Sequence, residues 1–106
     1  MGAQPVTTVF AALADDTRWD ILVRLGRSPA SASALAADLP VSRQAIAKHL
    51  VVLEESGLVT PSRVGREVRY AAVGERLSSV ARNLDQIASG WDRRLLQIKA
   101  AAEEVG

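Results

Sequence analysis

The stretch Val41-Ser42-Arg43-Gln44-Ala45-Ile46-Ala47-Lys48-His49-Leu50-Val51-Val52-Leu53-Glu54-Glu55-Ser56-Gly57 decides the fold. Ser42 is a helix-capping residue type, because its hydroxyl can accept from a free backbone N–H of the first turn. Gly57 can close the same helix, since glycine adopts the left-handed conformation that ends many helices. Between them Ile46, Leu50 and Leu53 recur at i, i+4, i+7 and form one inward face. Arg43, Gln44, Ala47, Lys48 and Val51 fall on the opposite side. The spacing predicts a helix from Ser42 to about Ser56, with short polar and basic side chains outward in its first two turns.

Working upstream, Pro40 stops a preceding helix that Ser31 can cap and that runs from Ala32 to Leu39, with Leu35 and Leu39 facing one way. Two helices joined by the tight turn Leu39-Pro40-Val41 follow the grammar of a helix-turn-helix. Further upstream, Asp15 reads as the cap of a helix whose apolar face is Ile21, Leu22 and Leu25, with Trp19 nearby. Asp16 suits its first turn electrostatically, and Gly26 and Pro29 are the expected stop. Thr7 or Thr8 can cap a short first helix through Val9, Phe10, Leu13 and Ala14, and the first five residues read as frayed.

Downstream of Gly57 the apolar period changes from 3.6 to 2. Leu58–Ser62 and Glu67–Ala72 read as two strands, with Val68, Tyr70 and Ala72 on one side. Arg63-Val64-Gly65-Arg66 forms the tip, where Gly65 supplies a positive φ. From Glu75 to about Glu104 the pattern is helical again. Leu77, Val80, Leu84, Ile87, Trp91, Leu95 and Ile98 step by three or four, close to a coiled-coil seam, and Gly90 marks an expected bend. Such a stripe exceeds what one small domain covers, so a second copy is expected on it. The expected architecture is mainly α with a small β-hairpin wing: about five helices, paired into a homodimer through the first and last. One domain spans 1–106, with a core over 6–73 and a C-terminal dimerisation helix over 75–104.

Composition narrows the chemistry. The chain has 106 residues, no cysteine and one histidine, which excludes disulfides, thiolate metal sites and clusters of several histidines within one chain. No cationic start leads into an apolar run and no stretch is long enough to span a membrane, so a cytoplasmic protein is expected. Net charge is only +1, yet residues 39–53 contain two bases and no acid. The segment 41–70 carries +2, against −1 for the remainder.

These residues suit double-stranded DNA. A helix fits the major groove and its N-terminal residues reach base edges. Arg43 and Gln44 have side chains that pair bidentately with guanine and adenine. Ser42 and the free N–H groups beside it can take a phosphate, Lys48 can reach another, and Arg63, Arg66 and Arg69 suit the backbone or minor groove. The serines at 28, 31 and 33 have no His or Asp at a catalytic spacing, and no phosphate loop or nucleophile elbow occurs, so no enzyme is expected.

Three longer matches point to a family. Phe10-Ala11-Ala12-Leu13-Ala14-Asp15-Asp16-Thr17-Arg18, followed by Ile21-Leu22, resembles the F-x-A-L-A-D-P-T-R opening of the ArsR/SmtB winged-helix repressors. Ser42 through Val59, with His49-Leu50 and Gly57-Leu58-Val59, resembles their recognition helix. Gly65-Arg66-Glu67-Val68-Arg69-Tyr70 matches their wing, and Trp91 with Leu95 resembles the last helix of a metal-independent branch. The resemblance implies a winged helix-turn-helix homodimer that represses transcription from a pseudo-palindromic operator. It implies Ser42, Arg43, Gln44, Ala45, Lys48, His49, Arg63, Arg66 and Arg69 at the DNA, with His49 near a phosphate or in a buried polar contact. It implies Phe10, Leu13, Leu84, Ile87, Trp91, Leu95 and Ile98 at the dimer interface. Metal-sensing members carry Cys-x-Cys at the start of the third helix, where this chain has Ser31 and Ser33; others place Asp and His ligands on the last helix, which has no histidine here. No metal or cofactor is therefore expected. Two other readings stand beside this one: a winged helix that binds proteins rather than specific DNA, and a DNA binder with a small apolar effector in the dimer cleft near Phe10, Trp19 and Trp91.

Overall fold

Three of the helix starts in this chain are fixed by side-chain caps. In the computed structural model, which describes residues 6–105, the elements run α1 Val6–Leu13, α2 Asp16–Arg27, β1 Ala30–Ser31, α3 Ala32–Asp38, α4 Arg43–Glu55, β2 Val59–Val64, β3 Glu67–Ala72 and α5 Gly74–Val105. Asp15 accepts from the Arg18 N–H, Ser31 from Ala34 and Ser42 from Ala45, at 3.0, 3.1 and 3.2 Å. Each satisfies a donor that the first turn would otherwise leave bare. The expected threonine cap of α1 does not form: Thr7 and Thr8 already lie inside that helix. The five residues expected to fray lie outside the described ones.

The end of α4 is equally specified. Leu58 N–H donates to Leu53 C=O and Gly57 N–H to Glu54 C=O, both at 3.0 Å, with Gly57 at φ 75°. This is a Schellman stop, and Leu53 and Leu58 supply its apolar contact, both fully buried. The end of α2 differs from expectation. Gly26 stays helical and the helix runs to Arg27, where Arg24 Nη1 donates to the Ser28 carbonyl at 3.0 Å. Arg24 also reaches Asp38 at 2.9 Å, tying α2 to α3.

The hairpin is joined by a third strand that the sequence pattern does not announce. The sheet order is β1-β3-β2, antiparallel throughout, with Ala30 opposite Tyr70 and Ser31 opposite Arg69. The β2–β3 ladder runs from Val59 opposite Ala72 to Val64 opposite Glu67. The loop is thus two residues, Gly65-Arg66, rather than the expected four. Gly65 has φ 65° and Arg66 does not, the pattern of a type II′ turn.

The core gathers Val9 of α1, Ile21 and Leu25 of α2, Leu35 of α3, Ile46, Leu50 and Leu53 of α4, Leu58, and Val80 of α5. Each fully buried aliphatic side chain contributes roughly 1.5–3 kcal/mol by leaving water. Helix α5 takes little part in this. Val80 is buried and Leu77 half-buried, but from Leu84 onward its apolar side chains stay about half-exposed. The helix continues unbroken through Gly90, where a bend was expected. At 32 residues it is about 48 Å long, which explains the 69 Å longest dimension of the molecule. Among the described residues no helix is long and apolar enough to cross a membrane.

Candidate nucleic-acid interface

The burial of Ile46, Leu50 and Leu53 fixes the rotation of α4, and with it the opposite face. Arg43, Gln44, Ala47, Lys48 and Val51 are all exposed. Their side chains, together with Ser42 at the cap, form a convex strip containing no acid. The α4 N-terminus, the start of α3 and the wing enclose a groove of about 600 Å³, lined by Ser33, Arg43, Gln44, Arg66, Val68 and Tyr70 among others. The structure therefore brings the paired candidates Arg43 and Gln44 together with Arg66, which lies more than twenty residues away in sequence.

The other wing arginines separate. Residues opposite each other across an antiparallel pair share a face, so Arg63, opposite Val68, is on the same face as Val68 and Tyr70 but does not itself line the groove, whereas Glu67 does. Arg69 lies on the other face, where its Nε donates to Glu67 Oε2 at 3.1 Å. Its charge is thus partly answered within the wing. Among the described residues, Arg43, Lys48, Arg63 and Arg66 have no acidic partner within ion-pair distance.

Two candidates of α4 do not belong to the outer strip. Ala45 is half-buried and donates its N–H to Ser42. His49 points inward, its side chain one-fifth exposed, toward the α1–α2 junction. Its Nδ1 lies 3.4 Å from Arg18 Nη1 and 4.0 Å from Asp15 Oδ1. Of the two places expected for it, near a phosphate or in a buried polar contact, the second is the one observed. Arg18 itself was not singled out as a functional residue, although it closes the quoted opening motif. Its Nε donates to the Ala12 carbonyl at 2.6 Å and its Nη2 to the Ala11 carbonyl at 3.3 Å. Asp15 sits at the same junction. The Arg18 backbone N–H holds its carboxyl below the usual carboxylate range; partial burial opposes this, and the His49 and Arg18 charges and the Thr17 N–H reinforce it.

A second surface is apolar. Phe10, Leu13, Trp19, Val23, Val80 and Leu84 line a trough of about 560 Å³ between α1, α2 and α5. The exposed side chains of Ile87, Trp91, Leu95, Leu96 and Ile98 carry the surface onward along α5. Val23 and Leu96 belong to it without having been expected from the sequence pattern. Phe10 and Leu13 serve partly in the core, being half-buried against it. Trp91 does not line the trough with Phe10 and Trp19; it sits beside Gln86, Ile87 and Gly90 farther along α5, with the Arg94 guanidinium 5.1 Å from its ring centre. Within one chain Trp91 thus lies apart from Phe10 and Trp19, and the effector site expected in the dimer cleft would need a second copy to join them.

The residues do not fit a thiolate metal centre. Ser31 Oγ is engaged as the α3 cap, and the described residues contain no group of three His, Cys, Asp or Glu able to hold an ion.

Comparison with known proteins agrees with this geometry. Residues 13–61 match a family model described as a helix-turn-helix domain. The chain is 39% identical over 86 residues to the HTH-type transcriptional regulator Rv2034 of Mycobacterium tuberculosis, covering 81% of this chain and 78% of the relative. An ArsR-like transcriptional regulator from Rhodococcus sp. RHA1 superposes with a TM-score of 0.84 at 58% identity, over 92% of each chain. The homodimeric winged helix-turn-helix DNA-binding domain of Mb0332 from Mycobacterium bovis, described as a possible ArsR-family regulator, superposes at 0.64 with 27% identity, over 87% of this chain and 91% of that one. With its five helices, its wing and these relatives, the chain belongs to the ArsR-like family of winged helix-turn-helix transcriptional regulators.

Proposed function

We propose that the protein acts as a homodimer on a pseudo-palindromic operator in cytoplasmic double-stranded DNA and represses transcription by occupying the promoter. The observation that carries this reading is α4 over residues 43–53: Ile46, Leu50 and Leu53 are buried, while Arg43, Gln44, Ala47, Lys48 and Val51 are exposed and include two bases and no acid. A helix so presented enters a major groove. In this reading Arg43 and Gln44 meet base edges. Ser42, the Ala45 end of the helix cap, Lys48, Arg63 and Arg66 meet phosphates or groove walls, and Arg69 joins them once released from Glu67. The chain acts as a single unit, with a DNA-binding core over 6–73 and the dimer-forming helix over 75–104. The half-exposed seam Leu84, Ile87, Trp91, Leu95 and Ile98, continuous with Phe10 and Leu13, supports pairing with a second copy, since large apolar patches mark interfaces. A dimer would set two α4 helices about 34–36 Å apart, one turn of DNA.

The test is recovery of bound genomic fragments at two salt concentrations, followed by footprinting. A shared inverted repeat protected at both half-sites is expected. Fragment-independent binding, or none at low salt, would instead indicate a protein-interaction module.

A further inference from the structure

We infer that Arg18 and His49 form a strut that sets the angle of the recognition helix against the α1–α2 junction, making both positioning residues for DNA binding. The inference rests on the DNA-binding reading above for its functional consequence, and on geometry alone for the strut itself.

Arg18 spends all of its reach on one junction. Two of its N–H groups cover carbonyls of the last turn of α1: Ala12, which no backbone N–H of the described residues reaches, and Ala11, which also accepts from the Ala14 N–H at 3.3 Å. Its third contact, Nη1, meets His49 Nδ1. A guanidinium donates and never accepts, so this contact requires Nδ1 without its proton and Nε2 carrying it. The charged groups facing the imidazole are Arg18, in contact, and Asp15, at 4.0 Å. The rest of the inward face of α4 is aliphatic, and aliphatic contacts resist separation far better than rotation or sliding. His49 is the polar tie of that face: it gives α4 a directional connection to α1, the helix whose outer side continues the apolar seam. Losing the tie leaves Ile46, Leu50 and Leu53 buried while freeing α4 to rock, and a tilt of the helix misplaces Arg43 and Gln44 together.

One chain with one histidine makes the test clean, because the imidazole ¹⁵N signals need no assignment. In the free wild-type protein at pH 8 the expected spectrum shows bare Nδ1 and protonated Nε2, and Arg18→Lys should weaken that preference. A wild-type spectrum with Nδ1 protonated overturns the strut whatever the protein does with DNA. The second arm measures binding to the recovered operator. His49→Asn, which returns an acceptor near the Nδ1 position, should stay within about threefold of wild type. His49→Leu should lose about tenfold, with melting temperature and sedimentation unchanged. Wild-type affinity in His49→Leu overturns the positioning role. If the wild-type protein binds no DNA at all, the functional reading fails, while the tautomer measurement still decides the strut.

Discussion

Replacing Lys48 by alanine should flatten the salt dependence of DNA binding by an amount the structure sets. Each protomer presents four basic side chains near the groove without an acidic partner among the described residues: Arg43, Lys48, Arg63 and Arg66. A dimer then offers eight, and each phosphate neutralised contributes about −0.9 to the slope of log K against log salt, giving roughly −7. Between 50 and 200 mM salt that is about a 20,000-fold loss of affinity. Lys48→Ala removes two contacts per dimer, so the slope should fall to about −5.4 and the loss to about 2,000-fold, on operator and random DNA alike. Glu67→Gln is the reciprocal perturbation. It removes the carboxylate that holds Arg69 at 3.1 Å, so two more cations become available and the slope should steepen toward about −9. Fluorescence anisotropy on a labelled duplex at five salt concentrations measures both. An unchanged slope in Lys48→Ala would refute the assignment of that residue to the backbone. A slope in Glu67→Gln no steeper than wild type would refute the view that the wing keeps Arg69 in reserve.

Other consequences are as direct. Gln44→Ala should cost about 1–3 kcal/mol on the operator and little on random DNA, measured by competition binding; an equal loss on both would remove its base-reading role. Leu50→Ala empties a site in the middle of the core and should lower stability by roughly 2–5 kcal/mol in urea unfolding, with the slope of the transition unchanged. Leu95→Arg, on the half-exposed part of α5, should turn the dimer into monomers in sedimentation while leaving the melting of the core nearly intact. Asp15 gives a pH dependence. Its carboxyl is held below its ordinary value of 3.8, so its contribution to stability is complete above that value and disappears as pH falls through the lower folded value. Acid unfolding monitored by circular dichroism should therefore shift to higher pH in Asp15→Asn.

Much of this architecture was legible because its determinants are local. The three caps at Asp15, Ser31 and Ser42 act over three residues, and the Gly57 stop over five, so a short window of sequence contains the whole interaction. Strand β1 was invisible for the opposite reason. Ala30 and Ser31 are extended because Tyr70 and Arg69 lie beside them, and nothing within reach of Pro29 signals that pairing. Gly26 and Gly90 misled in the same way: glycine lowers helix propensity, but the contacts on either side decide whether the helix continues. The inward aim of His49 could have been read. At 100° per residue it lies about 40° from Leu53, at the edge of the apolar face, and the polar partner it then needs is Arg18 of the opening motif. What periodicity could not supply was the division of the wing arginines, since the face each one takes depends on the two-residue turn that sets the register.

That turn has a thermodynamic consequence for recognition. A four-residue basic loop would be ordered only on contact with DNA, at about 1–2 kcal/mol of backbone entropy per residue. Here the ladder closes at Val64 and Glu67, and the chain reverses through Gly65-Arg66 alone. The tip is therefore organised when the protein folds, twice over in a dimer, and its association is freed from that entropic loss. The wing should accordingly speed the search more than it selects the sequence. A hairpin lengthened by two glycines should keep the same preference among operators and bind all of them more weakly.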